Sequence, residues 1–186
     1  MGRDKALLQL GERSLLERAI AVLDPLCDEC LLACGGIPRY TDLGRRLVMD
    51  SQPDVGPLAG LVAGLEAATT EWLAVVACDM PNVTTEVVAA LWSLARESEL
   101  DVCALAGPRG LEPLCAVYRS DLADTARSAL ERGERRMVSF FGDRCRGDSG
   151  PREIVVGTLA VSGAPFDPAL NLNTPEDLAR AAPITP

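Results

Sequence analysis

An apolar run that stops abruptly at a carboxylate and a proline constrains this chain more than any other feature. Trp72-Leu73-Ala74-Val75-Val76-Ala77-Cys78 leads directly into Asp79-Met80-Pro81. A short, continuous apolar run bounded by turn signals predicts a strand buried on both faces, of the kind that fills a parallel sheet. Pro81 ends it, because proline cannot donate to a ladder and disfavours helix at the preceding residue. An acid at the carboxyl end of such a strand points to the crevice where open α/β sheets bind ligands. The same pattern also fits a plain strand followed by a solvated Asp79.

Composition narrows the chemistry. The chain has 186 residues, 48% of them apolar and only 4% aromatic, so the core has to be aliphatic, as in helices packed on a sheet. Its formal net charge of -9 excludes bulk electrostatic attraction to nucleic acid or an anionic membrane. An anionic ligand would need a metal or a local cluster of donors. There is no histidine. Histidine-based nucleophile activation and histidine metal ligation are therefore excluded. No export signal and no membrane-length apolar stretch is legible, so the chain reads as cytoplasmic with its seven cysteines as free thiols.

Strand and helix patterns alternate along the chain. Leu15, Leu16, Ala19, Ile20 and Leu23 fall at helical spacing, with Ser14 as cap and Pro25 as stop. Strands are expected at 29–34 and 47–49, the latter ending in Asp50. Gly56-Pro57-Leu58-Ala59-Gly60 opens a helix with proline in its first turn. A helix capped by Thr84 or Thr85 runs to about Glu97. Strands follow at 101–106 and 113–118, then a helix at 121–132. Residues 144–151 read as a surface loop, and Asn173-Thr174-Pro175-Glu176-Asp177 as a helix start. The alternation predicts a single three-layer α/β domain spanning 1–186.

Several constellations fit one chemistry. Asp50 and Asp79 both follow apolar strands, so both can face one crevice. Two carboxylates without histidine suit magnesium, a hard cation that bridges phosphates. Lys5 is a candidate point charge for phosphate, although lysine is also the commonest kind of surface residue. The Gly56–Gly60 turn offers amides at a helix start, or is an ordinary Gly-Pro turn. Arg132, Arg135 and Arg136 make either a solvated helix end or a site for an anionic substrate. Cys27, Cys30 and Cys34 suggest a metal cluster only nominally; two of them sit in an apolar strand and no second pair follows at a zinc-site spacing, so packed thiols are expected.

Taken in order, Met1-Gly2-Arg3-Asp4-Lys5-Ala6-Leu7-Leu8, the 50–61 segment ending GPLAGL, Ala77-Cys78-Asp79-Met80-Pro81, Glu112-Pro113-Leu114-Cys115-Ala116-Val117-Tyr118, Gly133-Glu134-Arg135-Arg136 and Asn171-Leu172-Asn173-Thr174-Pro175-Glu176-Asp177-Leu178 resemble the molybdenum cofactor guanylyltransferase family of nucleotidyltransferases. The resemblance covers nearly the whole chain and implies a three-layer α/β/α, Rossmann-like nucleotidyltransferase fold. It implies transfer of GMP from GTP to the phosphate of molybdopterin, with release of pyrophosphate. It implies that Lys5 binds nucleotide phosphates, that Asp50 and Gly56 help hold the nucleotide, and that Asp79 binds magnesium and the phosphates. Asn171 and Asn173 would stand beside the site. The 112–118 strand and Arg135-Arg136 would receive the pterin. Molybdoenzyme chaperones are implied as transient partners.

Two departures accompany the resemblance. In the family a strand and a Gly-rich loop precede the segment that matches Met1. Without them the expected sheet lacks its first, central strand, and the neighbouring edges stand unpaired. The expectation is that the true start lies upstream or that the protein is truncated and weakened. Cys34-Gly35-Gly36 also stands near where some relatives place an asparagine that contacts nucleotide. Other readings are a cytidylyltransferase on the same acceptor, another NTP-dependent nucleotidyltransferase, or a non-catalytic binding module.

Overall fold

The computed structural model describes residues 4–52, 55–107, 110–147 and 150–161, together with Leu172 and Asp177. A tight hairpin comes first, β1 (Gln9–Leu10) and β2 (Arg13–Ser14), turning at Gly11 in the left-handed region. Helix α1 (Leu15–Leu23) starts on the expected cap. The Glu17 N–H donates to Ser14 Oγ at 3.2 Å and the Ser14 N–H donates to Glu17 Oε2 at 2.7 Å, a reciprocal box that contributes about 1 kcal/mol. Strands β3 (Leu31–Ala33) and β4 (Arg46–Val48) pair in parallel as a separate two-stranded sheet. Helix α2 (Pro57–Ala67) and strand β5 (Trp72–Val76) follow.

Helix α3 (Thr85–Glu97), strands β6 (Val102–Gly107) and β7 (Gly110–Arg119), and helix α4 (Ala123–Glu131) complete the middle of the chain. Then come β8 (Arg144–Gly147), β9 (Gly150–Glu153) and β10 (Val156–Leu159). The larger sheet runs β10-β6-β7-β5 and is mixed: β10 is parallel to β6, while β7 is antiparallel to both β6 and β5.

Three layers follow from the period-two alternation of strand side chains. Val102, Ala104, Ala116 and Tyr118 face α2 and α4 in one core. Cys103, Leu105, Cys115 and Val117 face α3 in the other. A third apolar group joins Ile20 of α1 to Cys30, Leu32 and Cys34 around β3. The seven cysteines are free, five of them buried, as packed thiols should be.

The structure corrects three expectations. Strand β5 is not buried on both faces; each of its five residues is half-exposed, and the run turns away after Val76. One edge of β5 pairs with β7, and among the described residues no strand pairs with the other. That open edge lies on a cleft of about 520 Å³ whose other wall is β3, with residues of α1 and α2 also lining it. Strand β3 likewise pairs on one side only, with β4, among the described residues. Residues 144–151 are not a loop: β8 and β9 form an antiparallel hairpin. Only Cys145 of β8 reaches the core, so the sequence shows no apolar alternation to betray the strand. Strand β10 was not expected at all; it supplies the outer edge beside β6.

Candidate active site

The cleft between the two sheets opens at the carboxyl ends of β3, β4 and β5. Lys5, Asp50, Gly56 and Asp79 all line it. Four of the residues predicted from sequence therefore converge on one place, from four different segments.

Each is held by identifiable local structure. Lys5 begins a short 3-10 turn, Lys5–Leu7, capped by Asp4, whose carboxylate accepts the Ala6 N–H at 3.1 Å. Tyr40 Oη donates to the same carboxylate at 2.6 Å, and the Arg39 guanidinium stands 3.4 Å from it. Tyr40 holds this position with φ +62°, a left-handed conformation costly for a residue with a Cβ. Asp4 and Tyr40 were not singled out from sequence. The Asp before Lys5 is a readable capping signal; Tyr40 carries none, because only tertiary structure brings it there.

Asp50 leaves β4 with its N–H donating to Gly35 O at 2.9 Å. Gly35 also lines the cleft. The Asp50 carboxylate lies over α2, where a methyl placed on Gly60 would stand 3.7 Å from Oδ1. Asp79 follows β5 and is half-buried. Burial raises its carboxyl above the ordinary range, and the positive charge of Lys5 opposes that rise. Next to it, burial and then the charges of Asp79 and Asp4 push the Cys78 thiol up to about 11, which keeps it neutral.

The Gly56 turn and the arginine pair meet. Gly56 adopts φ +111°, ψ -178°, and the Arg135 carbonyl lies 3.2 Å from where a Cβ would project. The Leu58 N–H points to that carbonyl at 3.4 Å, and the Arg135 guanidinium reaches Val55 O at 3.4 Å. The first amides of α2 are thus partly used within the protein, which narrows the anion site expected there. Arg136 is exposed on the same loop, and Met137 beside it lines the cleft. Of the 112–118 strand, Leu114 reaches the cleft, while Tyr118 is fully buried and donates to Pro113 O at 2.7 Å. Asn171 and Asn173 lie outside the described residues. Leu172 between them is buried and donates its N–H to Asp79 O at 2.8 Å.

Two carboxylates that follow β4 and β5, an amine and a glycine turn line one cleft, a donor set whose chemistry suits phosphate-bearing ligands. Comparison with known proteins specifies the class. The chain belongs to the family of the MobA-like NTP transferase domain, whose model matches residues 1–146. The "Probable molybdenum cofactor guanylyltransferase" of Chloroflexus aggregans is 38% identical over 186 residues, covering 95% of this chain and 85% of that protein. The molybdenum cofactor guanylyltransferase of Serratia proteamaculans is 35% identical over 183 residues, with 96% and 85% covered.

Among solved structures, the molybdopterin-guanine dinucleotide biosynthesis protein A of Archaeoglobus fulgidus superposes with a TM-score of 0.76 at 25% identity, over 97% of this chain and 89% of that one. The 2-C-methyl-D-erythritol 4-phosphate cytidylyltransferase of Thermus thermophilus shares the fold, with a TM-score of 0.67 at 20% identity over 95% and 91% of the two chains. No helix among the described residues is long and apolar enough to cross a membrane.

Proposed function

We propose that this protein transfers GMP from GTP to the phosphate of molybdopterin. The observation that carries the reading is the convergence of Lys5, Asp50, Gly56 and Asp79 on one cleft, in a chain of this family. An acceptor phosphate oxygen attacks the α-phosphorus of GTP, the bond to the β-phosphate breaks, and pyrophosphate leaves. Such a reaction needs positioning and charge neutralisation more than covalent participation by the protein.

Lys5 sets its ammonium against the phosphates, and Asp4 and Tyr40 fix the turn that carries it. Asp50 orients the nucleoside side of the ligand. Gly56 lets the backbone approach closely, and Arg135 and Arg136 receive the anionic acceptor, with Asn171 and Asn173 beside it. The apolar walls of the cleft exclude water.

Magnesium fits Asp79. Among the described residues no cluster of three or more side chains surrounds a metal position. Magnesium needs none, since it takes one or two carboxylates and completes its shell with water and phosphate oxygens. When bound there it would neutralise charge on the phosphates. We place the activity in the cytoplasm, with molybdoenzymes and their chaperones as recipients of the product.

The test is calorimetric titration with GTP and magnesium, competed by CTP and ATP, beside pyrophosphate release with molybdopterin as acceptor. GTP is expected to bind and to outcompete CTP. Lys5→Ala and Asp79→Asn should each lower turnover by about a hundredfold or more, as loss of a charge-stabilising group does. Absence of GTP binding would sink the proposal, and preference for CTP would replace it with cytidylyl transfer.

A further inference from the structure

A second pocket, of about 200 Å³, lies behind the strand exit that carries Asp79. Its walls are Arg13 and Arg18 from the start of α1 and the residue before its cap, facing Val76, Cys78, Met80 and Pro81 from β5 and the turn after it. Ala19, Val76 and Cys78 are common to this pocket and the large cleft, but Lys5, Asp50 and Gly56 line only the cleft, and Arg13 and Arg18 only this pocket. The two are neighbours with different chemistry.

The arginines here are unlike most others among the described residues. Arg45, Arg46, Arg127 and Arg152 each rest on a carboxylate. Arg18 has its Nε buried with no hydrogen-bond partner. A buried donor on a cation keeps its full desolvation cost until something accepts from it. Arg13 stands at the same pocket, and the acid that feels its charge, Glu17, already accepts from Ser14. No Asp or Glu among the described residues lines the pocket.

In a protein of net charge -9, two arginines lining one concavity that no acid among the described residues lines make a local concentration of positive charge against the global field. Guanidinium forks match the oxygens of phosphate. We propose that this pocket is an anion subsite separate from the cleft, taking a phosphate-sized oxyanion. Free phosphate, pyrophosphate and a phosphate monoester share the chemistry that would be recognised.

The experiment measures thermal unfolding and calorimetric binding of the full chain with inorganic phosphate, pyrophosphate or phenyl phosphate at constant ionic strength, without nucleotide or metal. The expected result is a saturable rise in Tm with at least one of the three, and the one bound most tightly identifies the source. Arg18→Met and Arg13→Gln should each weaken that binding by about tenfold, the loss of one charge-assisted hydrogen bond. Lys5→Ala should leave it unchanged. Arg13 is exposed, so its substitution keeps the test available even where Arg18→Met fails to fold. No response to any of the three anions would overturn the proposal. So would a response lost in Lys5→Ala but kept in both arginine variants, which would put the ion in the cleft.

Discussion

Two glycines four residues apart should respond in opposite ways to the same substitution. Gly56 sits at φ +111°, ψ -178°, a region essentially reserved for glycine, where an L side chain costs about 1–3 kcal/mol. Its added methyl would also stand 3.2 Å from the Arg135 carbonyl, tighter than a relaxed contact, and would push that carbonyl from the Leu58 N–H it now accepts. A hydrogen bond of this kind contributes about 0.5–1.5 kcal/mol. Gly56→Ala is therefore expected to destabilise the fold by about 2–4 kcal/mol, the sum of the two effects.

Gly60 is different. It lies inside α2, and its methyl would meet Ala33 Cβ and Asp50 Oδ1 at 3.7 Å, ordinary van der Waals distance. Gly60→Ala should gain up to about 1 kcal/mol from helix propensity. Urea unfolding followed by Trp72 and Trp92 fluorescence measures both changes. Nucleotide titration then asks whether the shift of Arg135 away from α2 weakens binding in Gly56→Ala beyond what unfolding explains. A Gly56→Ala protein within about 0.5 kcal/mol of the parent, the scatter typical of neutral surface changes, would refute the claim that this backbone geometry is required.

Three other substitutions test the electrostatics. Asp79→Asn should lose activity yet gain stability near neutral pH: burial raises the folded-state carboxyl, so the parent keeps its full stability below the ordinary carboxylate range and loses some as pH rises through the raised value. Unfolding curves of the two proteins should converge in acid, and divergence there would contradict the reasoning. Arg152→Ala should cost about 3–5 kcal/mol, since Asp101 is only 1% exposed and would remain as an unpaired buried carboxylate. Burial alone would raise the Asp101 carboxyl, but Arg152 and the Val155 N–H at 2.8 Å hold it below its usual range. The deficit should therefore be full at neutral pH and shrink as acid protonates the group; a pH-independent deficit would argue against it. Tyr40→Phe removes the 2.6 Å bond to Asp4 and should raise KM for nucleotide more than it lowers kcat, because it loosens the turn carrying Lys5; unchanged KM would dismiss that role.

How much of this was legible depended on whether the signal was local. Ser14 announces the start of α1, and Gly56-Pro57 announces α2, because capping and proline preference act over one turn. Lys5, Asp50 and Asp79 were legible as candidates, and the fold brings them to one cleft, because each stands at a strand or turn boundary with an apolar element beside it. The β8–β9 hairpin was not, since a strand with one buried residue has no pattern to read. Tyr40 was not, because its role depends on a left-handed turn and on a partner 36 positions away. Nor was the approach of the Arg135 carbonyl to α2, which joins segments some eighty positions apart.

The half-exposure of β5 makes the open edge testable in its own right. In an antiparallel pair each strand directs alternate backbone groups at its partner. Residues Trp72 to Val76 pair with Arg119 to Cys115 of β7, so alternate amides of β5 are satisfied there and the intervening ones face the cleft towards β3. Among the described residues no strand meets them. Residue-resolved hydrogen exchange should therefore show a period-two pattern along β5, with protected amides separated by amides exchanging close to the solvent rate. Strand β6, paired with both β10 and β7 over residues 102–105, supplies the internal control and should be protected across that stretch. Uniform protection of β5 would mean that its cleft-side groups are satisfied after all. The alternating pattern would mean that Asp79 hangs from a strand secured on one side only. Any chain segment or ligand that engages the free edge would then order the Asp79 carboxylate as well as the sheet, and the alternation should fade as it binds.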